Sequence, residues 1–371
     1  MQPRTPEDLL NPQGRLVSLD FFRGFTMFLL VAESARVYEA LLLPETQGTW
    51  IAAMATQFTH HPWNGLHFWD LVQPFFMFIV GVAMPFSFAK RWERGDRYSD
   101  TLKHALIRSG LLLLFGVALY VQAAGHLVFE LWNVLAQLSF TYLVAFLMMR
   151  KSTRVQWLFT GGLLILSEAL YRLWPVAGFD HPFTPDQNFG SWVDLALMGK
   201  LSSGHWVAFN AVPTTAHTMW GVLAGYLLLS NRPAAKKIQT LLLWGLIGVI
   251  LGFGLDPVTP IIKRICTSSF VIVSGGWCFL ALALCFWLID VRGYRRWLKF
   301  AIVFGMNPLF IYLFAHLGGD GWLTEVVKPF TEGFLAWGGR VFVEFITAAI
   351  VLWMDWFLVH WLAERRIFIR I

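Results

Sequence analysis

The residues able to do chemistry crowd into one stretch, Thr59 to Phe76, which reads THHPWNGLHFWDLVQPFF. His60 and His61 lead it, Trp63 and Asn64 follow, and His67, Asp70 and Gln73 run on into an apolar segment. Histidine suits proton transfer because its ordinary pKa lies near neutrality. A nearby aspartate can orient an imidazole or stabilise an imidazolium. Apolar sequence anchors a chain in lipid without any such groups, and ionisable side chains inside membrane segments are costly and mark sites. With a helix starting near Trp63, the residues Trp63, His67, Asp70 and Pro74 share one face at i, i+4, i+7 and i+11. Spacing alone does not choose between His60 and His61. The plainer role for Asp70 is a buried polar anchor between helices.

The elements that position these residues follow from composition. The chain has 371 residues, of which 57% are hydrophobic and only 14% charged. Its mean hydropathy is +0.57. A soluble domain carries about 25% charged residues, so the chain reads as an all-α, polytopic integral membrane protein. Nineteen tryptophans and 34 phenylalanines suit interface belts and lipid-facing surfaces. The net charge of +6 does not point to nucleic acid, because the basic residues sit in short loops. Cys266, Cys278 and Cys285 form no pairing pattern and no CxxC, so neither a disulfide nor a metal site is expected. The N-terminus shows no cleavable signal, and there is no Walker loop, GxGxxG, HExxH or nucleophile elbow.

Residues 1–18 read as a cytoplasmic tail, and 19–371 as a single transmembrane domain. Ten spans of about 20 residues are expected. They fall near 19–40, 65–89, 105–125, 128–149, 155–174, 207–230, 238–256, 268–290, 299–318 and 340–361. With the N-terminus inside, only seven of the 29 Lys and Arg face out: Arg36, Arg172, Lys200, Lys263, Arg264, Lys328 and Arg340. The positive-inside rule is satisfied, so both termini are expected in the cytoplasm and His60 outside. In a bacterium this would be the cytoplasmic (inner) membrane. The longest outer loop, 175–206, carries Asp180, His181, Asp194, His205 and Trp206, and could shape a substrate entrance.

Other spans add polar groups. Asp20 and Arg23 can pair at i and i+3. Glu33 and Ser34 lie one helix length further on, at the outer end, where His60 is also expected. A carboxylate such as Glu33 near a histidine can orient the ring. Gln137 and Asn133 lie on the fourth span, His217 on the sixth, and Thr267, Ser268 and Ser269 open the eighth. Asn307 and Pro308 interrupt the ninth, and Glu344 and Asp355 lie on the tenth. The glycine series Gly221 and Gly225, and Gly245, Gly248 and Gly252, read as close helix packing.

The motifs RLVSLDFFRG, HHPWNGLHFWDLVQPFFMFIVG, WGVLAGYLL, TSSFVIVSGGW, LIDVRGY and FGMNPLFIY occur in that order. Together they resemble the catalytic membrane domain of heparan-alpha-glucosaminide N-acetyltransferase and its bacterial relatives. The latter are also catalogued as a domain of unknown function or as an N-acetylglucosamine-related transporter. The resemblance runs from about residue 14 to the C-terminus. It implies a transmembrane acyltransferase that takes acetyl-CoA from the cytosol and acylates an amino sugar on the far side. The family's catalytic histidine lies three residues before its tryptophan, which selects His60 over His61. Its aspartate matches Asp70, its WNG step Trp63, Asn64 and Gly65, and its GMN step Gly305, Met306 and Asn307. The chain departs from the family in having Ser34, preceded by Glu33, in place of an asparagine. It also has Gln137 in place of an arginine, and FNAVP in place of an acidic step before the sixth span. The family also implies a homodimer.

The chemistry of the residues agrees with that expectation. Acyl transfer needs a base and donors for the developing oxyanion. His60 could be the base or carry the acyl group, steadied by Asp70 and Glu33. Trp63, Asn64, Ser34, Ser269 and Asn307 could contact the acceptor or supply donors. Arg91, Arg94, Lys103 and Arg295 could hold the phosphates of acetyl-CoA, the co-substrate, although topology alone would also place them inside. The rival expectation is an amino-sugar transporter, for which the chain shows no inverted repeat.

Overall fold

The structure is a computed structural model, and it describes residues 16–369 and Ile371. The expected tail lies outside the described residues up to residue 15, as do Arg4, Arg15 and Arg370. Among the described residues 74% are helical and none lies in a β-strand. Five helical runs are long and apolar enough to cross a membrane, or six if one bent pair is a single crossing. The fold is therefore all-α and consistent with a membrane protein.

In chain order the helices are α1 (Val17–Ser34), α2 (Val37–Ala40), α3 (Trp50–Thr56), α4 (Val72–Glu93), α5 (Tyr98–Ala124), α6 (Val134–Met148), α7 (Thr153–Leu173) and α8 (Phe189–Met198). They continue as α9 (Ala211–Leu229), α10 (Ala234–Leu255), α11 (Ser268–Cys285), α12 (Leu298–Phe304), α13 (Pro308–His316), α14 (Gly319–Leu335) and α15 (Gly339–Glu364). Most lie within a few residues of the expected spans. Three helices were not expected: α3 lies between the first two spans, α8 sits inside the 175–206 loop, and α14 fills what reads as a connector before the last span.

One expectation is corrected. No helix starts near Trp63, so Trp63, His67, Asp70 and Pro74 do not share a helical face. Instead the backbone of Gly65 donates to the Ile261 carbonyl at 2.8 Å, and Asn64 forms an isolated bridge with Ile262. Those bonds hold 61–67 out of helical geometry. Gly65 has φ +145°, and a Cβ there would come within 2.5 Å of the His61 ring, so this turn requires glycine. Helix begins only at a 3₁₀ turn, Phe68–Leu71, which leads into α4.

The chain divides into two compact units. The first contains 16–60, 67–72 and 285–369 of the described residues. Here α1 has no cap from its own sequence. The Asp290 carboxylate supplies one, accepting from the backbone N–H of Val17 and Ser18, each at 3.2 Å. An acidic group at a helix N-terminus meets both its orphan donors and its dipole. Below it Val17, Ile289, Leu298 and Ile302 form one buried cluster. Asp20 pairs with Arg23 at 2.9 Å, and Arg23 Nε also donates to the Gly305 carbonyl at 3.0 Å. α1 approaches α12 backbone to backbone: a Cβ on Gly24 would sit 2.1 Å from the Ala301 oxygen. α12 and α13 meet at a 67° bend. Pro308 starts α13, and Asn307 sits at the break.

The second unit contains 61–66 and 73–284. Its centre is α4 against α9, where Gly81 faces the Thr218 carbonyl and Gly221 faces the Phe78 carbonyl too closely for any side chain. Gly225, Gly245, Gly248 and Gly252 are in similar contact with neighbouring helices, so both glycine series are packing devices. Gln73 of α4 donates to Gln137 of α6, which buries two amides against each other.

These contacts predict a paired result. Gly24→Val puts a branched side chain against backbone that cannot swing away, and overpacking of this kind costs about 1–3 kcal/mol or more. Gly161→Val in α7, where nothing lies within 4 Å, should be harmless. Melting temperatures of the two purified variants check this: the first is lowered and the second is unchanged.

Candidate functional site

His60 and Asp70 are brought together in the first unit. His60 Nδ1 lies 3.0 Å from Asp70 Oδ1. Asp70 is 0% exposed, while the His60 side chain is 36% exposed. A buried carboxylate only accepts, so Nδ1 carries the hydrogen and the ring's basic lone pair is on Nε2. The second Asp70 oxygen accepts from the His67 backbone N–H at 2.9 Å. Asp70 thus caps the 3₁₀ turn that contains it and orients His60 with the same carboxylate. His67 Nδ1 donates to the Thr59 carbonyl at 3.0 Å, which folds the segment before His60 back over this turn. Trp69 N–H donates to the Gln57 carbonyl at 2.8 Å, a second tie.

An aromatic group supports the pair. Tyr38 stacks on Phe58 with centroids 4.5 Å apart, and Trp69 meets the Tyr38 ring edge-on at 5.6 Å. The His60 ring lies 6.3 Å from Trp69. Leu29, Ala32 and Val72 complete this buried cluster. Glu33 is exposed at the end of α1, and Ser34 beside it is half-buried. Burial, and then the Glu33 charge, push the Tyr38 hydroxyl well above its ordinary pKa. Glu33 therefore belongs to the electrostatic surroundings of this cluster. The Asn307 amide is engaged at both ends: Nδ2 donates to the Ile367 carbonyl at 2.7 Å, and Oδ1 accepts from Ile369 N–H at 3.0 Å. It clips the C-terminal segment to the α12–α13 break.

In the second unit, Trp63, Asn64 and Ser269 gather at the turn 260–269. Trp63 Nε1 donates to the Phe183 carbonyl at 2.8 Å, and its ring packs among Ile262, Ile265 and Val207. Asn64 is exposed, and its backbone pairs with Ile262. Ser269 is fully buried and donates to the Pro260 carbonyl at 3.0 Å. His217 contacts the Ser274 hydroxyl at 2.9 Å within the helix packing.

The expected phosphate-holding residues are placed as follows. Arg91 donates to His104 Nε2 at 3.2 Å and lies 3.8 Å from Asp96. Arg94 Nε donates to the Lys90 carbonyl at 3.0 Å, and Lys103 is exposed. Arg150 was not among the expected residues, yet its guanidinium lies over both Trp92, at 5.5 Å, and Tyr98, at 5.4 Å. This end of α4, α5 and α6 is thus basic and aromatic together, with Trp92 stacked on Phe88 and Tyr98 on Phe146. Arg295, in the first unit, donates to the Ile289 carbonyl at 2.8 Å.

A second imidazole–carboxylate pair was not foreseen. His205 Nδ1 lies 2.7 Å from Asp186 Oδ2 in the 175–206 loop, and Trp63 meets the His205 ring edge-on at 6.2 Å. Both residues have φ +60°, an unusual backbone for non-glycine residues. They lie 19 residues apart, and no motif links them. In the same loop Asp194 is wholly buried. It accepts from Trp132 Nε1 at 2.7 Å and from Ala208 N–H at 2.9 Å, joining α8 to the segments before α6 and α9. No family model matches the chain, and no curated protein matches it.

Two predictions follow from this geometry. In Asp70→Asn the oxygen stays with the His67 N–H, because that backbone donor cannot turn away. The amide NH₂ then faces His60 and forces Nδ1 to accept, so the ring proton moves to Nε2. Nitrogen NMR of the His60 ring reads the tautomer directly, and an unchanged Nδ1–H would refute the assigned bonding. The second concerns Asp194, whose pKa burial raises from 3.8 to about 6. The folded state therefore holds this proton more tightly than the unfolded state does. Stability from this group is intact below about pH 4, falls as pH rises towards 6, and is flat above. Melting curves against pH should show that fall in the wild type and not in Asp194→Asn.

Proposed function

We propose that the chain is a transmembrane acyltransferase moving an acetyl or other acyl group from cytosolic acyl-CoA to an outward-facing amino sugar or glycan. The observation that carries this reading is the His60–Asp70 pair, a half-buried imidazole oriented by a wholly buried carboxylate. Nε2 takes the amine proton as nitrogen attacks the thioester carbonyl, and the same proton passes to the departing thiolate. An acyl group carried on Nε2 before transfer uses the same lone pair. Asp70 fixes the ring and balances the imidazolium charge. Trp63, Asn64, Ser34, Ser269 and Asn307 are assigned to acceptor contacts or to their support. Arg91, Arg94 and Lys103 are assigned to the phosphates of the donor, with Arg150 added and Arg295 kept from the sequence.

The same reading includes ten crossings and two cytoplasmic termini. Six are the five long apolar runs and the bent pair α12–α13. The other four are α1, α6, α7 and α9, with 18, 15, 21 and 19 residues. An amino-sugar transporter is the second reading. It is favoured by the 67° bend at 304–308, since broken helices line substrate paths in transporters.

Thermal shift of the detergent-purified protein separates the two. Acetyl-CoA at about 100 times its dissociation constant should stabilise the folded state by about 2.7 kcal/mol. His60→Ala should keep that shift while losing acyl transfer by about 100-fold or more. No shift with any acyl-CoA, in protein shown to be folded, rejects the transferase and turns the test to sugar uptake. Transfer retained by His60→Ala rejects the site.

A further inference from the structure

Two aspartates in the first unit are buried without the partners that buried carboxylates normally have. Ala35, Leu323, Val327 and Val351 form one apolar cluster where the end of α1 meets α14 and α15. Asp320 lies three residues before Leu323, and Asp355 four residues after Val351, so both fall on the helix faces that carry the cluster. Asp355 is 0% exposed and Asp320 is 3% exposed. All four of their carboxyl oxygens are buried and accept no hydrogen bond from any described residue. Asp320 lies within electrostatic reach of Asp355, and Glu33 within reach of Asp320.

Most charged groups on the neighbouring elements are engaged elsewhere. Arg23 pairs with Asp20 on α1, and Arg36 with Glu39 beside α2. Lys328 of α14 pairs with Glu344 of α15, and His360 lies beside Glu364. On α13, His316 donates to the Tyr312 carbonyl. Lys299 on α12 and Arg340 on α15 form no ion pair with either aspartate among the described residues. Buried carboxylates persist only when paired, coordinated or neutralised. Within the described residues no cation does this here, and a positive charge from the medium would supply it.

We propose that Asp320 and Asp355 together form a binding site for one cation drawn from the medium, a proton or an alkali-metal ion. A proton fits best. A hard metal ion wants about six oxygen ligands, and among the described residues no group of three or more His, Cys, Asp or Glu is arranged to hold a metal. The site does not depend on the acyl-transfer reading, since it uses neither His60 nor Asp70.

The test uses the full chain in detergent, melted from about pH 6 to pH 9 in choline, sodium or potassium chloride at equal ionic strength. In choline the wild-type melting temperature should fall by about 3 °C or more as pH rises, and D320N/D355N should abolish that fall. If sodium or potassium chloride cancels the fall at high pH, the occupant is the alkali ion; if neither does, it is the proton. Identical pH and salt responses in wild type and variant overturn the proposal. Should the double variant fail to fold, infrared spectra of the wild type decide instead. The carboxylic C=O band of buried acids must change between about pH 7 and 9 or on adding sodium, and an invariant spectrum overturns the site.

Discussion

Asp70 exposes no surface, and its two oxygens face two donors that belong to different tasks. One is the His67 backbone N–H, an orphan at the start of a helical turn. The other is the His60 ring nitrogen. The same carboxylate therefore decides where the helix leading into α4 begins and which nitrogen of His60 keeps its lone pair. Removing either bond would leave a buried charge half satisfied, which is costly in a low-dielectric interior. In the second unit, the backbone bond of Gly65 to Ile261 holds its own turn out of helical geometry.

Much of the architecture is legible in the sequence because lipid imposes simple rules. Apolar runs of sufficient length mark crossings, and glycines at helical spacing mark close packing. Helical runs long and apolar enough to cross a membrane are present, and the expected glycine series packs closely, as at Gly221 against Phe78 and Gly248 against Gly276. The pairing of His60 with Asp70 is also within reach of sequence reasoning, although the helical face invoked for it is not how it forms. What the sequence hides is long-range. The cap of α1 comes from Asp290, 272 to 273 residues away, and no local pattern announces it. The same holds for His205 and Asp186, which lie 19 residues apart and both have positive φ. Helix α14 hides for another reason. Its charged residues Glu325, Lys328 and Glu332 lower its apolar character, so it reads as a connector.

The outer surfaces of the helices carry their own evidence about solvent. Leu158 and Ile165 on α7, Ile250 on α10 and Phe334 on α14 are 76%, 72%, 68% and 76% exposed. Isolated apolar side chains on a protein surface are ordinary, but whole helix faces of them are not. In water such faces would drive association. Against acyl chains they carry no penalty, and packing must then come from close backbone approach and polar contacts rather than from the hydrophobic effect. The glycine contacts and the Gln73–Gln137 bond supply both.

The buried aspartates show how position separates roles for one residue type. Asp290 and Asp70 each answer backbone donors at a helix start, where partial positive charge favours them. Asp194 answers an indole and an amide, and those bonds join α8 to the segments before α6 and α9. In all three the protein provides donors for the carboxyl oxygens, in the wholly buried Asp70 and Asp194 and in the half-buried Asp290. Asp320 also sits in the first turn of a helix, so the dipole of α14 favours its charge, but its oxygens meet no described donor. Asp355 lies deep in α15, where the backbone N–H groups are already bonded within the helix and offer nothing. Replacing Asp355 by an apolar residue would lose no contact seen here and would remove a desolvation cost. A carboxyl under those conditions does not stabilise the helix pair by itself. It stabilises the pair once a positive charge from outside enters it.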